Sequence, residues 1–284
     1  MKYLLYNSKS NNTTAEAKVL EYASTRNDYE VVKDVVGMDY LTFFKALKDE
    51  DEVTIAGGDG TINYLINELG DYKIKNNLYL YPCGTGNDFY HDIVGEEYKE
   101  NILLNPYLEN LPVVEVKCND SDTIIKKKFI NGIGYGIDGY CCEVGDKLRK
   151  TTTKPINYTS IAIKGLLFHF KPVKAKVIVD GKVSEMKHVW LAPTMKGRFY
   201  GGGMKVAPNQ DRFSGLVTTV TYKTFSKLKA LIVFPSIFKG EHLKYKKIVS
   251  VYEGKEAEVV FNRPTALQID GETISNVISY KVHA

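Results

Sequence analysis

The chain has 284 residues, long for one core, so two domains are expected. Hydrophobic residues make up 44% and charged residues 25%, an ordinary globular balance, and no apolar run approaches the ~20 residues that a membrane-spanning helix needs. The 38 Lys and Arg against 34 Asp and Glu leave a net charge of +4. That excess is small and joins no known reading motif, which argues against nucleic acid as a partner.

Met1-Lys2-Tyr3-Leu4-Leu5-Tyr6 is too short and too soon polar for a secretion signal. Cys83, Cys118, Cys141 and Cys142 form no C-x-x-C pair, so reduced thiols and a cytoplasmic protein are expected. In chain order, Lys2–Tyr6 reads as a strand, and a helix capped by Thr13 or Thr14 runs to about Arg26. Tyr29–Asp34 is a second strand and Asp39–Lys48 a helix. Glu52–Ala56 is a third strand that leads into Gly57-Gly58-Asp59-Gly60. Ile62, Leu65, Ile66 and Leu69 then repeat at helical spacing until Gly70. Asn77–Tyr81 is a fourth strand, followed by Cys83-Gly84-Thr85-Gly86-Asn87-Asp88-Phe89. Alternating strands and helices predict an open α/β sheet, with ligands beyond the carboxyl ends of its strands.

After about Asn105 the texture changes. Val113–Cys118, Lys127–Ile133, Val173–Val179, Val183–Ala192, Gly215–Tyr222, Ile248–Val251, Glu256–Phe261, Ala266–Ile269 and Val277–Val282 read as strands. Asn157–Phe170 and Lys227–Phe238 read as helices. Asp180-Gly181 is a hairpin signal. The fold class expected is therefore an α/β domain at residues 1–108, followed by a larger, mainly antiparallel β-sandwich-like or open-barrel domain at 109–278. Residues 279–284 are expected to return to the first domain.

The glycine loops carry the chemistry. Glycine lets a ligand approach the backbone, and successive N–H groups beside a helix N-terminus suit phosphate. An aspartate in such a loop repels phosphate but suits Mg²⁺ or a proton. Asp138 closes a third glycine-rich run, Asn131-Gly132-Ile133-Gly134-Tyr135-Gly136-Ile137-Asp138. Gly201-Gly202-Gly203 reads as a tight turn or bend, and Lys126-Lys127-Lys128 as a solvated run. Asp270-Gly271-Glu272, taken alone, reads as a hairpin turn. No Walker-type loop, G-x-S-x-G or zinc spacing is present.

Taken together and in order, these segments resemble the diacylglycerol kinase catalytic family, lipid kinases that share a superfamily with NAD kinases and phosphofructokinases. The likeness runs from Asn7 to Glu272. Gly57-Gly58-Asp59-Gly60-Thr61 is common to the superfamily, whereas Gly84-Thr85-Gly86-Asn87-Asp88-Phe89 is specific to its lipid kinases. The resemblance implies transfer of the γ-phosphate of ATP to a lipid hydroxyl, with Mg²⁺, in a cleft between the two domains. It further implies that Gly57, Gly58, Gly60 and Gly84 admit the phosphates, and that Asn7, Thr61, Thr85 and Asn87 contact nucleotide. Asp59, Asp88 and Asp138 would organise Mg²⁺ and its water. Glu272 would be the general base, supported by Asp270, with Asp59 the alternative base. Ser8 stands where relatives have proline, Tyr64 where many have glutamate, and Ser214 where many have an acid beside a structural metal.

A lipid substrate implies work at a membrane surface, peripherally at its inner face. Phe225–Lys247, which interleaves aromatics with lysines, either contacts that surface or packs on its own domain. A homodimer through the β-rich domain is compatible with such chains. The competing readings are an NAD kinase-like enzyme, disfavoured by the second loop, and a catalytically inactive nucleotide- or lipid-binding protein.

Overall fold

The computed structural model of the chain describes residues 1–8, 14–26, 28–84, 86–95, 97–152 and 156–284. They form two compact units, Met1–Leu111 and Pro112–Ala284.

The first unit contains β1 (Lys2–Tyr6), α1 (Thr14–Arg26), β2 (Val31–Asp34), α2 (Tyr40–Ala46), β3 (Glu52–Gly57), α3 (Asp59–Leu69), β4 (Asn77–Pro82), α4 (Asp88–Val94), β5 (Ile102–Leu103) and α5 (Asn105–Leu108). Its sheet runs β2-β1-β3-β4-β5, parallel except for β5. Leu4, Leu5, Val53, Ile55, Leu78 and Leu80 are buried on its central strands, as expected where helices cover both faces. Asp39 caps α2 by accepting the Thr42 amide (3.0 Å). The expected cap at Thr13 or Thr14 lies outside the described residues and side chains. Register decides where the site falls: Tyr6, Ala56 and Tyr81 are in one row across β1, β3 and β4. Asn7, Gly57 and Pro82 follow at the same carboxyl edge.

The second unit contains β6 (Val113–Cys118), β7 (Ile124–Lys128), β8 (Gly132–Tyr135), α6 (Ile137–Arg149) and α7 (Tyr158–Lys164), which continues into a π-helical turn at Gly165–His169. Then come β9 (Val173–Val179), β10 (Lys182–Leu191), β11 (Thr194–Met195), β12 (Val217–Lys223), α8 (Lys227–Val233), 3₁₀ turns at Phe234–Ile237 and Glu241–Lys244, β13 (Val249–Gly254), β14 (Glu256–Ile269) and β15 (Glu272–His283). Every pairing is antiparallel. The circuit β14-β8-β11-β12-β10-β9 closes back on β14, because β9 pairs with its first half and β8 with its second. Inside the circuit Tyr135 stacks on Phe261 at 3.8 Å. Outside it, Ile137, Leu166, Trp190, Tyr222 and Phe234 form a second core beneath the helices.

Four expectations change. Glu256–Phe261 and Ala266–Ile269 are one strand, β14, whose register shifts between Val260 and Leu267. Pro264 sits in that stretch and has no N–H for a ladder. Lys127–Ile133 is broken between β7 and β8, because the amides of Ile130, Asn131 and Gly132 turn to the Asp270 carboxylate. Ile137–Arg149 is a helix that glycines disguised. A Cβ on Gly139 would lie 2.0 Å from the Ala266 carbonyl oxygen, so α6 lies directly on the backbone of β14. Finally, residues 279–284 do not return to the first unit. β15 runs to His283, between β14 and β6.

Candidate active site

In the first unit two loops touch backbone to backbone. The Gly57 carbonyl accepts the Cys83 amide (3.0 Å), joining the ends of β3 and β4. A Cβ on Gly58 would stand 2.8 Å from the Gly84 Cα, and one on Gly84 would stand 2.6 Å from the Gly58 Cα. Neither position admits a side chain. The Thr61 side chain fills the space a Cβ on Gly57 would need, at 2.4 Å from Oγ1. Gly60 is different: a Cβ there meets nothing within 4 Å, so its bare backbone faces open space.

Asp59, the first residue of α3, reaches across to α4. Its Oδ2 accepts the Asp88 amide (2.9 Å) and its Oδ1 the Phe89 amide (2.8 Å). A carboxylate facing the amides of a helix start is favoured by charge and dipole together. The acid of the first loop thus fastens the second. Asn87 lies between them in the left-handed region (φ +51°). Its Nδ2 donates to the Gly84 carbonyl (2.9 Å), while its buried Oδ1 has no hydrogen-bond partner. Asp88 is buried and Asn7 half-buried. Beside Asn7, Ser8 donates its amide (3.1 Å) and hydroxyl (2.5 Å) to Asp34, so an acid holds this turn. Tyr64 projects from α3, its ring tilted against Tyr40 at 5.9 Å. Thr85 lies outside the described residues.

In the second unit Asp270 accepts three backbone amides, from Ile130 (2.7 Å), Asn131 (2.9 Å) and Gly132 (2.9 Å). Both central residues of its turn have positive φ, Asp270 at +46° and Gly271 at +92°, the geometry of a tight two-residue hairpin. Glu272 follows, 56% exposed, and forms an ion pair with Lys127 (2.5 Å). Lys126, expected in solvent with Lys127, pairs with Glu115 (2.6 Å). On the neighbouring β8, a Cβ on Gly134 would lie 2.7 Å from the Asp138 Cβ and 2.7 Å from the Gln268 amide nitrogen.

Asp138 sits in the first turn of α6, 8% exposed. Tyr200 donates its hydroxyl to Oδ2 (2.5 Å). Burial pushes the carboxyl up to about 7, and the Tyr200 hydrogen bond pulls the other way. Gly201–Gly203 explain how Tyr200 gets there. Tyr200 and Met204 exchange amide-to-carbonyl bonds (3.2 Å each) around that glycine turn.

Sequence reasoning passed over Tyr200 and two basic residues. Lys196 is buried and its ammonium is held below its ordinary range, first by burial and then by the nearby Arg212 charge. Arg212 donates to the Ile130 carbonyl (2.5 Å) and the Asn131 side-chain oxygen (2.8 Å). Isolated basic residues give no local signal, since only folding brings them to Asn131. Around Ser214 the organising group is Gln210. Its Nε2 donates to the carbonyls of Asp211 and Leu216 (3.0 Å each), and its Oε1 accepts from the Thr218 hydroxyl. Among the described residues no group of three His, Cys, Asp or Glu is arranged to hold a metal ion, and no helix is long and apolar enough to cross a membrane. The four cysteines are free thiols.

The description "Diacylglycerol kinase catalytic domain" matches residues 2–111, and "YegS C-terminal NAD kinase beta sandwich-like domain" matches residues 131–281. The chain belongs to the diacylglycerol kinase catalytic family. It is a kinase by that membership. This family member is 26% identical to a diacylglycerol kinase of Mycobacterium tuberculosis over 226 residues, 76% of this chain and 71% of that one. It is 26% identical to a diacylglycerol kinase of Bacillus subtilis over 236 residues, 80% and 73% of the two chains. The crystal structure of a diacylglycerol kinase from Bacillus anthracis superposes with a TM-score of 0.65 at 18% identity, covering 99% of this chain and 93% of that one, which shows a shared fold.

Proposed function

We propose that the protein transfers the γ-phosphate of ATP to a lipid hydroxyl, diacylglycerol or a related lipid. The observation that carries this reading is the contact of Gly58 with Gly84, fastened by Asp59 across to the start of α4. It holds the two glycine loops backbone to backbone, where no side chain fits, and leaves bare backbone open at Gly60. Gly57, Gly58, Gly60 and Gly84 admit the phosphates. Asn7, Thr61 and Thr85 contact nucleotide, and the partnerless Oδ1 of Asn87 suits a donor on it.

Asp59 and Asp88 suit Mg²⁺, which takes one or two carboxylates alongside phosphate oxygens rather than an all-protein cage. When bound, Mg²⁺ neutralises charge on the phosphate oxygens. Asp138, held by Tyr200, is the third acid assigned to the ion and its water. With Asp59 given to the ion and to the amides of α4, we assign the general base to Glu272, exposed and paired with Lys127. Asp270 sets the position of the segment next to it.

A long-chain lipid leaves a bilayer only at a cost of ~0.8 kcal/mol per CH₂, so the protein meets its substrate peripherally, at the inner face of the membrane. The test is incubation with Mg²⁺ and labelled ATP against diacylglycerol, sphingosine, phosphatidylglycerol and polyprenol, with NAD alongside. Label is expected in a lipid. Label in NAD alone would replace this reading with an NAD kinase, and ATP binding without transfer would make the chain a binding protein. Glu272→Gln is expected to abolish transfer; near-full activity would remove Glu272 as the base.

A further inference from the structure

Residues 156–179 contain no Asp or Glu, and neither do residues 212–240. The second unit makes these two stretches neighbours. α8 packs on the π-helical turn after α7, and the Lys227 ammonium donates to the Leu167 carbonyl (2.6 Å). Their inner faces share one core, with Ile161, Leu166 and Phe170 beside Ala230, Val233 and Phe234.

An amphipathic surface helix turns a polar face outward. Here the outward face is apolar. Phe168 is 74% exposed, Phe225 83%, Leu228 67% and Ile232 63%. Leu228 and Ile232 lie four positions apart on α8 and so project together. Lys164, Lys171 and Lys229 are exposed on the same segments.

We propose that this face docks the protein on an anionic lipid bilayer. The apolar side chains enter the headgroup region and the lysines meet lipid phosphates. This deepens the lipid-kinase reading and rests on it for the substrate, but its own evidence is the acid-free apolar face. Charge decides between a bilayer and a second copy of the chain. A symmetric pair of these two stretches would set the same lysines against each other, with no acid within either stretch to offset them.

The test is flotation with vesicles of phosphatidylcholine alone and with vesicles that also contain phosphatidylglycerol. The protein is expected to float with the anionic vesicles only. Leu228→Glu with Ile232→Glu, and separately Lys164→Glu with Lys229→Glu, should each lower that partition by about tenfold or more. Nucleotide binding and transfer to a monomeric short-chain diacylglycerol should stay at the unsubstituted level in both variants. Variants that float undiminished, or equal binding to neutral vesicles, would overturn the proposal. So would concentration-dependent self-association that the same substitutions abolish, which would assign the face to a second copy. Vesicle binding as expected with no label in any lipid would leave the docking face standing and sink the kinase reading. Label in lipid with undiminished flotation of the variants would do the reverse.

Discussion

Asp180 and Asp270 occupy the same place in two Asp-Gly turns, each with φ +46°. Asp180 accepts the amides of Lys255 (3.0 Å) and Glu256 (2.9 Å), and Asp270 accepts those of Ile130, Asn131 and Gly132. The turns are one device used twice, a carboxylate that fastens the strand next door. Asp270→Ala should cost about 3 kcal/mol, because buried amides lose a charged acceptor, whereas exposed Asp180→Ala should cost about 1 kcal/mol. Denaturant midpoints of the two variants check this, and equal losses would contradict it. Asp138 carries a different expectation. Its carboxyl titrates near 3.8 in the unfolded chain and near 7 in the fold, chiefly through burial. Between those values the folded state keeps a proton that the unfolded state has released. Stability is therefore greatest below about 4 for this group and is lost as pH rises through about 7. Denaturation from pH 5 to 8, without nucleotide or Mg²⁺, should show that loss, and Asp138→Asn should flatten it.

At the scale of elements, the glycine loops were legible because their residues are contiguous. Gly57–Thr61 and Gly84–Phe89 raised the expectation of a phosphate site before any fold was known, and the fold brings Gly58 and Gly84 into backbone contact. Their fastening was not legible, since Asp59 meets the amides of Asp88 and Phe89 some 30 positions away. The same reason hid Tyr200 over Asp138, and Gln210 beneath the Ser214 loop. α6 was hidden by its own composition, since Gly139 and Gly145 weaken helix propensity and are explained only by contact with β14 and Tyr158. Two glycine substitutions separate shape from binding. Gly84→Ala should push the loops apart, at about 1–3 kcal/mol of stability as well as nucleotide affinity. Gly60→Ala should weaken nucleotide binding and leave the unfolding midpoint in place. Gln210→Ala should lower stability by about 1–3 kcal/mol, chiefly by orphaning the Leu216 carbonyl, since Asp211 keeps its bonds from Ser214, and a chelator should not reproduce that loss.

For the whole molecule, a sheet that is parallel but for one edge strand in Met1–Leu111 is followed by an antiparallel one in Pro112–Ala284. What sequence texture could not supply was closure, because β14 pairs not only with β15, its hairpin neighbour, but with β8 and β9, far from it in sequence. β14 is paired on both sides over most of its length. Its amides outside the Val260–Leu267 irregularity should be the slowest in the second unit to exchange with deuterium. A net charge of +4 likewise concealed a strongly sided surface, visible only when two acid-free stretches meet in space.

The four thiols have a consequence for redox biology. Burial lifts Cys83 to about 11 and Cys142 to about 12, and raises Cys118 and Cys141 as well. The thiolate is the form that attacks peroxide and alkylating agents, and at neutral pH none of the four offers one in quantity. Iodoacetamide at pH 8 should therefore label the native protein far more slowly than the urea-unfolded chain. Cys83, which directly precedes the second glycine loop, is thereby insulated from oxidants that would silence a thiolate enzyme.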